Sequence, residues 1–315
     1  MTQFITNCQT AKILLEQKDI VAIPTETVYG LAADASCEEA IKKIYQLKNR
    51  PIDKALALNV HPSWSIDYWC KEVPSYVKLL IKNFWPGPLT LVLPAKKDSV
   101  LALIKGPEDT IAFRCPDHPL TLKLLKIFGR PIVAPSANPS DHFSAINASQ
   151  VASYFPNSSL TILDGGPCSL GMESTILKVI DDNHCEILRY GAIPVKKIRA
   201  CIGFSPTPKI NSSFVANTLK KPFYYFETSL QLQHVLSQHP NLDYTLYTLP
   251  SSAKEAQLNL YEWLNEALDA RAKFIFIHIP QQRLGDWQAM TQQIHKFAKS
   301  IDLFACPSSG SILKG

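Results

Sequence analysis

A chain of 315 residues has room for two domains, and with 46% hydrophobic and 19% charged residues it is neither disordered nor fibrous. Thirty-two Lys and Arg against 27 Asp and Glu leave a net charge of +5, a mild excess that suits an anionic small substrate as well as RNA and by itself selects neither. Ala11, Leu14, Leu15 and Lys18 have helical spacing after a cap at Thr6 or Asn7, and the apolar run at 19–24 then reads as a buried strand. Ile41, Ile44, Tyr45 and Lys48 lie on a second helix, followed by a strand at 55–60. A helix over 75–84 runs into the breaker Pro86-Gly87-Pro88, and strands are expected at 89–94, 110–115 and 131–136, with a helix over 117–128 between the last two. Two further strands, 174–180 and 185–190, flank Asp181-Asp182-Asn183, which has hairpin chemistry.

The composition then shifts. Residues 205–221 are rich in Pro, Ser and Asn and read as a linker between a domain over 1–204 and a second over 222–315. Beyond it, strands at 222–226, 244–249 and 274–279 alternate with helices near 228–238, 251–270 and 286–299. The expected fold is therefore α/β: an open twisted mixed sheet with helices, then a small Rossmann-like parallel α/β domain. The latter has no GxGxxG, so nothing supports dinucleotide binding there.

The eight cysteines stand at least 16 residues apart with no CxxC or zinc-type spacing, and read as reduced core thiols. The N-terminal residues lack the charged head and apolar stretch of a signal peptide. No apolar run approaches the roughly 18 residues of a membrane span, so a cytoplasmic protein without membrane contact is expected.

GxSxG, GxxxxGK[ST] and HExxH are all missing. What stands out instead is a set of strand ends where polar residues interrupt apolar runs. Pro24-Thr25-Glu26-Thr27-Val28-Tyr29-Gly30 follows the first strand, where open α/β sheets place ligands; a Thr-capped turn into a helix would use the same residues. Lys48, Arg50 and Lys54 surround a helix end, either complementing the helix dipole or forming an anion clamp. Arg114 shares a strand face with Thr110 and Ala112, and if that face is inward its charge needs a carboxylate or an anionic ligand. Ala134-Pro135-Ser136-Ala137-Asn138-Pro139-Ser140 is too small and polar for a core and offers donors, though an Asn-Pro turn reads the same way. Gly165, Gly166 and Gly171 precede Glu173-Ser174-Thr175, with Arg189-Tyr190-Gly191 across the hairpin. Hydroxyls and cations without a nucleophile or metal cluster suit the positioning of anions rather than covalent catalysis.

These segments resemble the Sua5/YrdC/YciO family of threonylcarbamoyl-AMP synthases in its long, two-domain Sua5 form. The resemblance rests on PTETVYGL (24–31), KNRP (48–51), FWPGPLTLVL (84–93), TIAFRCPDHP (110–119), APSANPS (134–140), GMESTI (171–176) and ILRYGAI (187–193), in order. It implies that L-threonine and bicarbonate give N-carboxythreonine, which attacks the α-phosphate of ATP, releasing pyrophosphate and leaving threonylcarbamoyl-AMP. Partner proteins would use this product for t6A modification of tRNA at adenosine-37, with Mg²⁺ accompanying the ATP and at most a weak RNA contact. By position, the resemblance assigns Lys48 and Arg50 to catalysis on the phosphates. Arg50, Lys54, Thr110, Asn138, Ser144 and Arg189 would bind ATP, and Thr27, Arg114, Ser136 and Ser174 would bind threonine; no residue is assigned to a metal.

The chain departs from the family at Asn59, where long members often carry His, at Ala145-Ile146 in place of Pro-Thr, and at 214–219, which read FVANTL where a His-Tyr-Ala-Pro lid is usual. A diverged relative that binds nucleotide or RNA without synthase activity is the alternative reading.

Overall fold

The structure, a computed structural model, describes residues 2–140, 142–209, 221–279 and 285–304. The chain divides into two compact units, Met1–Asn211 and Ser212–Gly315. Of the stretch read as a linker, residues 210–220 lie outside the described residues, and with them the FVANTL segment. Thr207–Pro208, at the start of that stretch, forms an edge strand of the first unit. Among the described residues, no helix is long and apolar enough to cross a membrane.

In chain order the first unit comprises β1 (Gln3–Ile5), α1 (Cys8–Glu16), β2 (Val21–Ile23), β3 (Gly30–Asp34), α2 (Glu38–Lys48), β4 (Ala57–Asn59), α3 (Ser75–Phe84), β5 (Leu89–Pro94) and β6 (Thr110–Arg114). It continues through α4 (Pro119–Phe128), β7 (Ile132–Val133), α5 (Ala148–Tyr154), β8 (Thr161–Leu163), β9 (Thr175–Val179), β10 (Cys185–Arg189), α6 (Val195–Ile202) and β11 (Thr207–Pro208). The strands form one mixed sheet in the order β1-β8-β2-β3-β7-β4-β6-β5-β9-β10-β11. Asn7 caps α1 by accepting the Gln9 amide at 2.8 Å. Apolar side chains of α1 and α4, among them Leu15, Leu124 and Phe128, close one core against Val21, Ile23 and Ile132.

The segment that could also have capped a helix leads instead into β3, which pairs antiparallel with β2. All five residues of β3 are buried, so the two-residue alternation that announces a half-exposed strand is missing. The strands β1 and β8 escape sequence reading for another reason: each has three residues, and they pair with each other across more than 150 positions. At 181–183 the expected hairpin forms, joining β9 and β10 antiparallel.

The second unit comprises β12 (Phe223–Phe226), α7 (Ser229–Gln238), β13 (Tyr244–Thr248), α8 (Ala253–Asp269), β14 (Phe274–His278), α9 (Gln288–Phe297) and β15 (Ala298–Ser300). Its four strands are all parallel, in the order β13-β14-β12-β15, as the strand–helix alternation predicts. Phe223, Tyr224 and Phe226 of β12 are buried, and Tyr224, Phe226 and Phe276 lie in its core.

Candidate active site

The period-two rule puts Thr110, Ala112 and Arg114 of β6 on one face of the sheet and buried Ile111 and Phe113 on the other. Register extends that face across three strands: Arg114 lies opposite Asn59 of β4 on one side and Thr90 of β5 on the other. Asn59 and Thr90 are 2% and 3% exposed, so this is a polar row inside the protein. Such groups are stable there only when hydrogen-bonded. Asn59 Nδ2 donates to Ala57 O at 3.3 Å, and the Thr90 hydroxyl meets that of Ser174 at 2.8 Å. Arg189 clamps the same residue, from Nη2 to Ser174 Oγ at 3.0 Å and from Nε to the Ser174 carbonyl at 3.1 Å. Ser174 and Arg189, assigned from sequence to different substrates, are thus direct neighbours.

The other end of the row meets the loop between β2 and β3. Arg114 Nη2 donates to Glu26 Oε1 at 2.9 Å, to Thr25 Oγ1 at 3.4 Å and to Thr27 Oγ1. The carboxylate required by an inward Arg114 is therefore Glu26, with side-chain exposures of 12% for the arginine and 5% for the glutamate. Glu26 Oε2 also accepts the Asp117 amide at 2.9 Å, and its carbonyl accepts that of Leu170 at 2.8 Å, joining three segments. Within the loop, Thr25 Oγ1 donates to the Val28 carbonyl and contacts Thr27 Oγ1 at 2.9 Å, an ST-type turn that explains the Thr-x-Thr spacing. Arg114 Nε is buried without a partner.

The 134–140 loop is held from below by Lys48. Its ammonium, on a side chain in a residue 2% exposed at the end of α2, donates to the backbone carbonyls of Ser136 and Asn138. Lys48 thereby shapes the loop carrying two other expected ligands. Asn138 Nδ2 is spent on the carbonyls of Pro139 and His142, at 2.8 and 2.9 Å, which leaves its buried Oδ1 without a donor. Ser144, farther along, donates to Glu173 Oε1 at 2.8 Å.

Arg50 follows Asn49, whose left-handed conformation (φ 49°) ends α2. Its Nη2 donates to the Ala55 carbonyl at 2.9 Å, and burial lowers its pKa from the ordinary guanidinium value, partly offset by Tyr45. Lys54 is exposed, while its carbonyl accepts Tyr45 Oη at 2.9 Å. Thr110 Oγ1 donates to the Pro107 carbonyl at 2.8 Å and borders a cavity of about 350 Å³ floored by Val92, Ala112 and Leu188 and flanked by Lys178 and Lys209.

The expected residues thus fall into groups: Thr27 with Arg114, Ser174 with Arg189, Lys48 with the Ser136–Asn138 loop, and Ser144 with Glu173. The sequence reading gave no role to Glu26, Thr90 or Glu173. For Thr90 a signal was present, since it interrupts the apolar LTLVL run of β5 on the alternation of the inner face. For Glu26 it was the requirement that a buried arginine have a carboxylate.

Comparison with known proteins adds an independent line. The family model Sua5_yciO_yrdC, described as "Telomere recombination", matches residues 13–191. The threonylcarbamoyl-AMP synthase of Bacillus subtilis is 43% identical over 193 residues, covering 61% of this chain and 56% of the relative. That of Pyrococcus abyssi is 42% identical over 189 residues, 60% of this chain and 55% of the relative. With these two relatives the match spans little more than half their length; with the Schizosaccharomyces pombe enzyme it is 29% identical and spans 93% of this chain and 80% of the relative. Among solved structures, P. abyssi Sua5 complexed with L-threonine superposes with a TM-score of 0.81 at 26% identity, covering 95% of this chain and 99% of that one. The Arg114 row, carried by β4, β5 and β6, lies within the matched segment, and the chain belongs to the Sua5_yciO_yrdC family.

Proposed function

We propose that this protein is a cytoplasmic enzyme that makes L-threonylcarbamoyl-AMP from L-threonine, bicarbonate and ATP, releasing pyrophosphate. Its product would be passed to the proteins that install t6A at adenosine-37 of tRNA. The observation that carries this reading is the buried Arg114, neutralised by Glu26 yet holding an unspent buried Nε, in one polar row with Asn59 and Thr90 and next to Ser174 and Arg189. A carboxylate-bearing ligand at Arg114 would complete that donor's bonding, as the carboxylate of threonine can. Support also comes from the relatives' shared name and from the structure of P. abyssi Sua5 with L-threonine.

The reaction needs no protein nucleophile. The amine of threonine and bicarbonate give N-carboxythreonine and water; a carbamate oxygen then bonds to the α-phosphorus as the bond to the pyrophosphate oxygen breaks. The protein has to place those atoms in line, balance charge and keep water from a labile carbamate and mixed anhydride. In this reading Arg50 and Arg189 face the polyphosphate, Lys48 supports the loop that presents Ser136 and Asn138, and the cavity beside Thr110 takes the base. Among the described residues no three His, Cys, Asp or Glu converge on a metal position. The residues present therefore suit Mg²⁺ carried in on the phosphates with its own waters, where it would offset their charge.

The test is pyrophosphate release from Mg-ATP, with threonine and bicarbonate omitted in turn and the adduct identified by mass. Release should need both co-substrates, and Arg50→Ala should lower it by about 10²-fold or more. ATP binding with turnover indifferent to threonine would sink the synthase reading and favour a diverged nucleotide-binding relative.

A further inference from the structure

The Arg114–Glu26 pair has unspent capacity of both signs. Arginine carries five N–H donors and an ionised carboxylate about four acceptor positions. In the structure Nη2 serves Glu26, Thr25 and Thr27, Nε is buried with no partner, and each Glu26 oxygen has one protein donor, Arg114 on Oε1 and Asp117 N on Oε2. The contact is made through one nitrogen and one oxygen, at 2.9 Å, and is not the two-pronged fork that would saturate both groups.

Charge balance makes this significant. The pair is neutral as it stands, and both members are nearly excluded from water. A simple carboxylate brought to Arg114 would place a second negative charge beside Glu26 in a buried site, at considerable cost. A zwitterion would not, because it brings its own cation. In an α-amino acid the nitrogen and the carboxylate carbon are about 2.5 Å apart by covalent geometry, so a group held by Arg114 carries its ammonium into the neighbourhood of Glu26.

Building on the assignment of the Arg114 row to threonine, we propose that Glu26 is a specificity-determining residue: it receives the α-ammonium while Arg114 receives the α-carboxylate. The pair thereby selects α-amino acids over carboxylic acids of the same shape. Glu26 does not merely orient the arginine.

Calorimetric titration of the full chain at neutral pH with L-threonine and with 3-hydroxybutyrate, which lacks only the amino group, tests this without nucleotide. Wild-type protein should bind threonine at least about tenfold more tightly than the des-amino acid, the scale of a charged hydrogen bond. In Glu26→Gln, which keeps an acceptor for the Asp117 amide, threonine should weaken by at least about tenfold, while 3-hydroxybutyrate binds as well as before or better. Equal wild-type affinities would overturn the proposal with no variant needed, and so would a parallel weakening of both ligands in Glu26→Gln, the mark of a residue acting only through Arg114. If neither acid binds the wild type, the amino-acid reading of the Arg114 row itself falls and takes this proposal with it.

Discussion

Gly191 shows how little slack surrounds the site. A methyl group there would come within 2.3 Å of the Ser174 carbonyl carbon and the Thr175 nitrogen, which are backbone atoms that cannot swing aside. Gly191→Ala should therefore displace Ser174 from Thr90 and Arg189 and, on the proposed function, reduce pyrophosphate release by about 10²-fold, the scale of a misplaced reacting group. Unchanged turnover would show that Ser174 is not held by this contact. The thiols follow a similar logic. Burial pushes the pKa of Cys115 and of Cys168 up to about 12, so neither is an activated nucleophile despite lying close to the Arg114 region. At this scale the sequence was most readable where a residue type has few uses. Arg114 in an apolar alternating strand raised the need for a charge partner if its face was inward, but that partner lies 88 positions away and no spacing rule points to it.

At the level of elements, the end of β3 is tied to the turn after α4 through Asp34 and Arg130. The guanidinium reaches Asp34 Oδ2 at 2.7 Å and lies 4.2 Å above the Phe128 ring, while the Ser36 amide and hydroxyl bond to Oδ1. Burial alone would raise the pKa of Asp34; the bonds from Arg130 and Ser36 outweigh it and hold the carboxyl below its usual range. A depressed folded-state pKa contributes stability that is complete above the unfolded value of about 3.9 and is lost as pH falls through the folded one. Asp34→Asn should therefore cost about 1.5–3 kcal/mol near neutral pH. The gap between wild type and variant in urea titrations should shrink as the pH is lowered below the ordinary aspartate range; a constant gap would argue that packing, and not charge, supplies the effect. Asp34 ends the strand missing from the sequence reading. Its Gly-Leu-Ala-Ala sequence lacks β-branched residues and is buried on both faces, so neither propensity nor alternation marks it.

On the scale of the whole molecule, two hydrophobic clusters draw their members from separate stretches: Leu15, Leu124 and Leu163 belong to one, Tyr224, Phe276 and Ile301 to the other. With β11 completing the edge of the first unit's sheet at Thr207–Pro208, a fragment of residues 1–209 retains the described sheet and every residue of the Arg114 row. It should melt cooperatively and, on the proposed function, match the full chain in threonine binding; a fragment that lacks a cooperative transition would show that the first unit depends on the second.

Local patterns in the chain were enough for some elements: the alternating inner face of β6, the cap of α1, the hairpin at 181–183 and the strand–helix alternation of the second unit. It also supplied the chemistry, in hydroxyls and cations at strand ends with no nucleophile motif. The pairings came from folding. It brought Glu26 to Arg114, Thr90 to Ser174 and the Lys48 ammonium to the Ser136 and Asn138 carbonyls, contacts that span 84 to 90 positions. Periodicity reports which side of its own element a residue faces; which residue meets it there depends on strand order and register, and those are set by packing distant segments into one core.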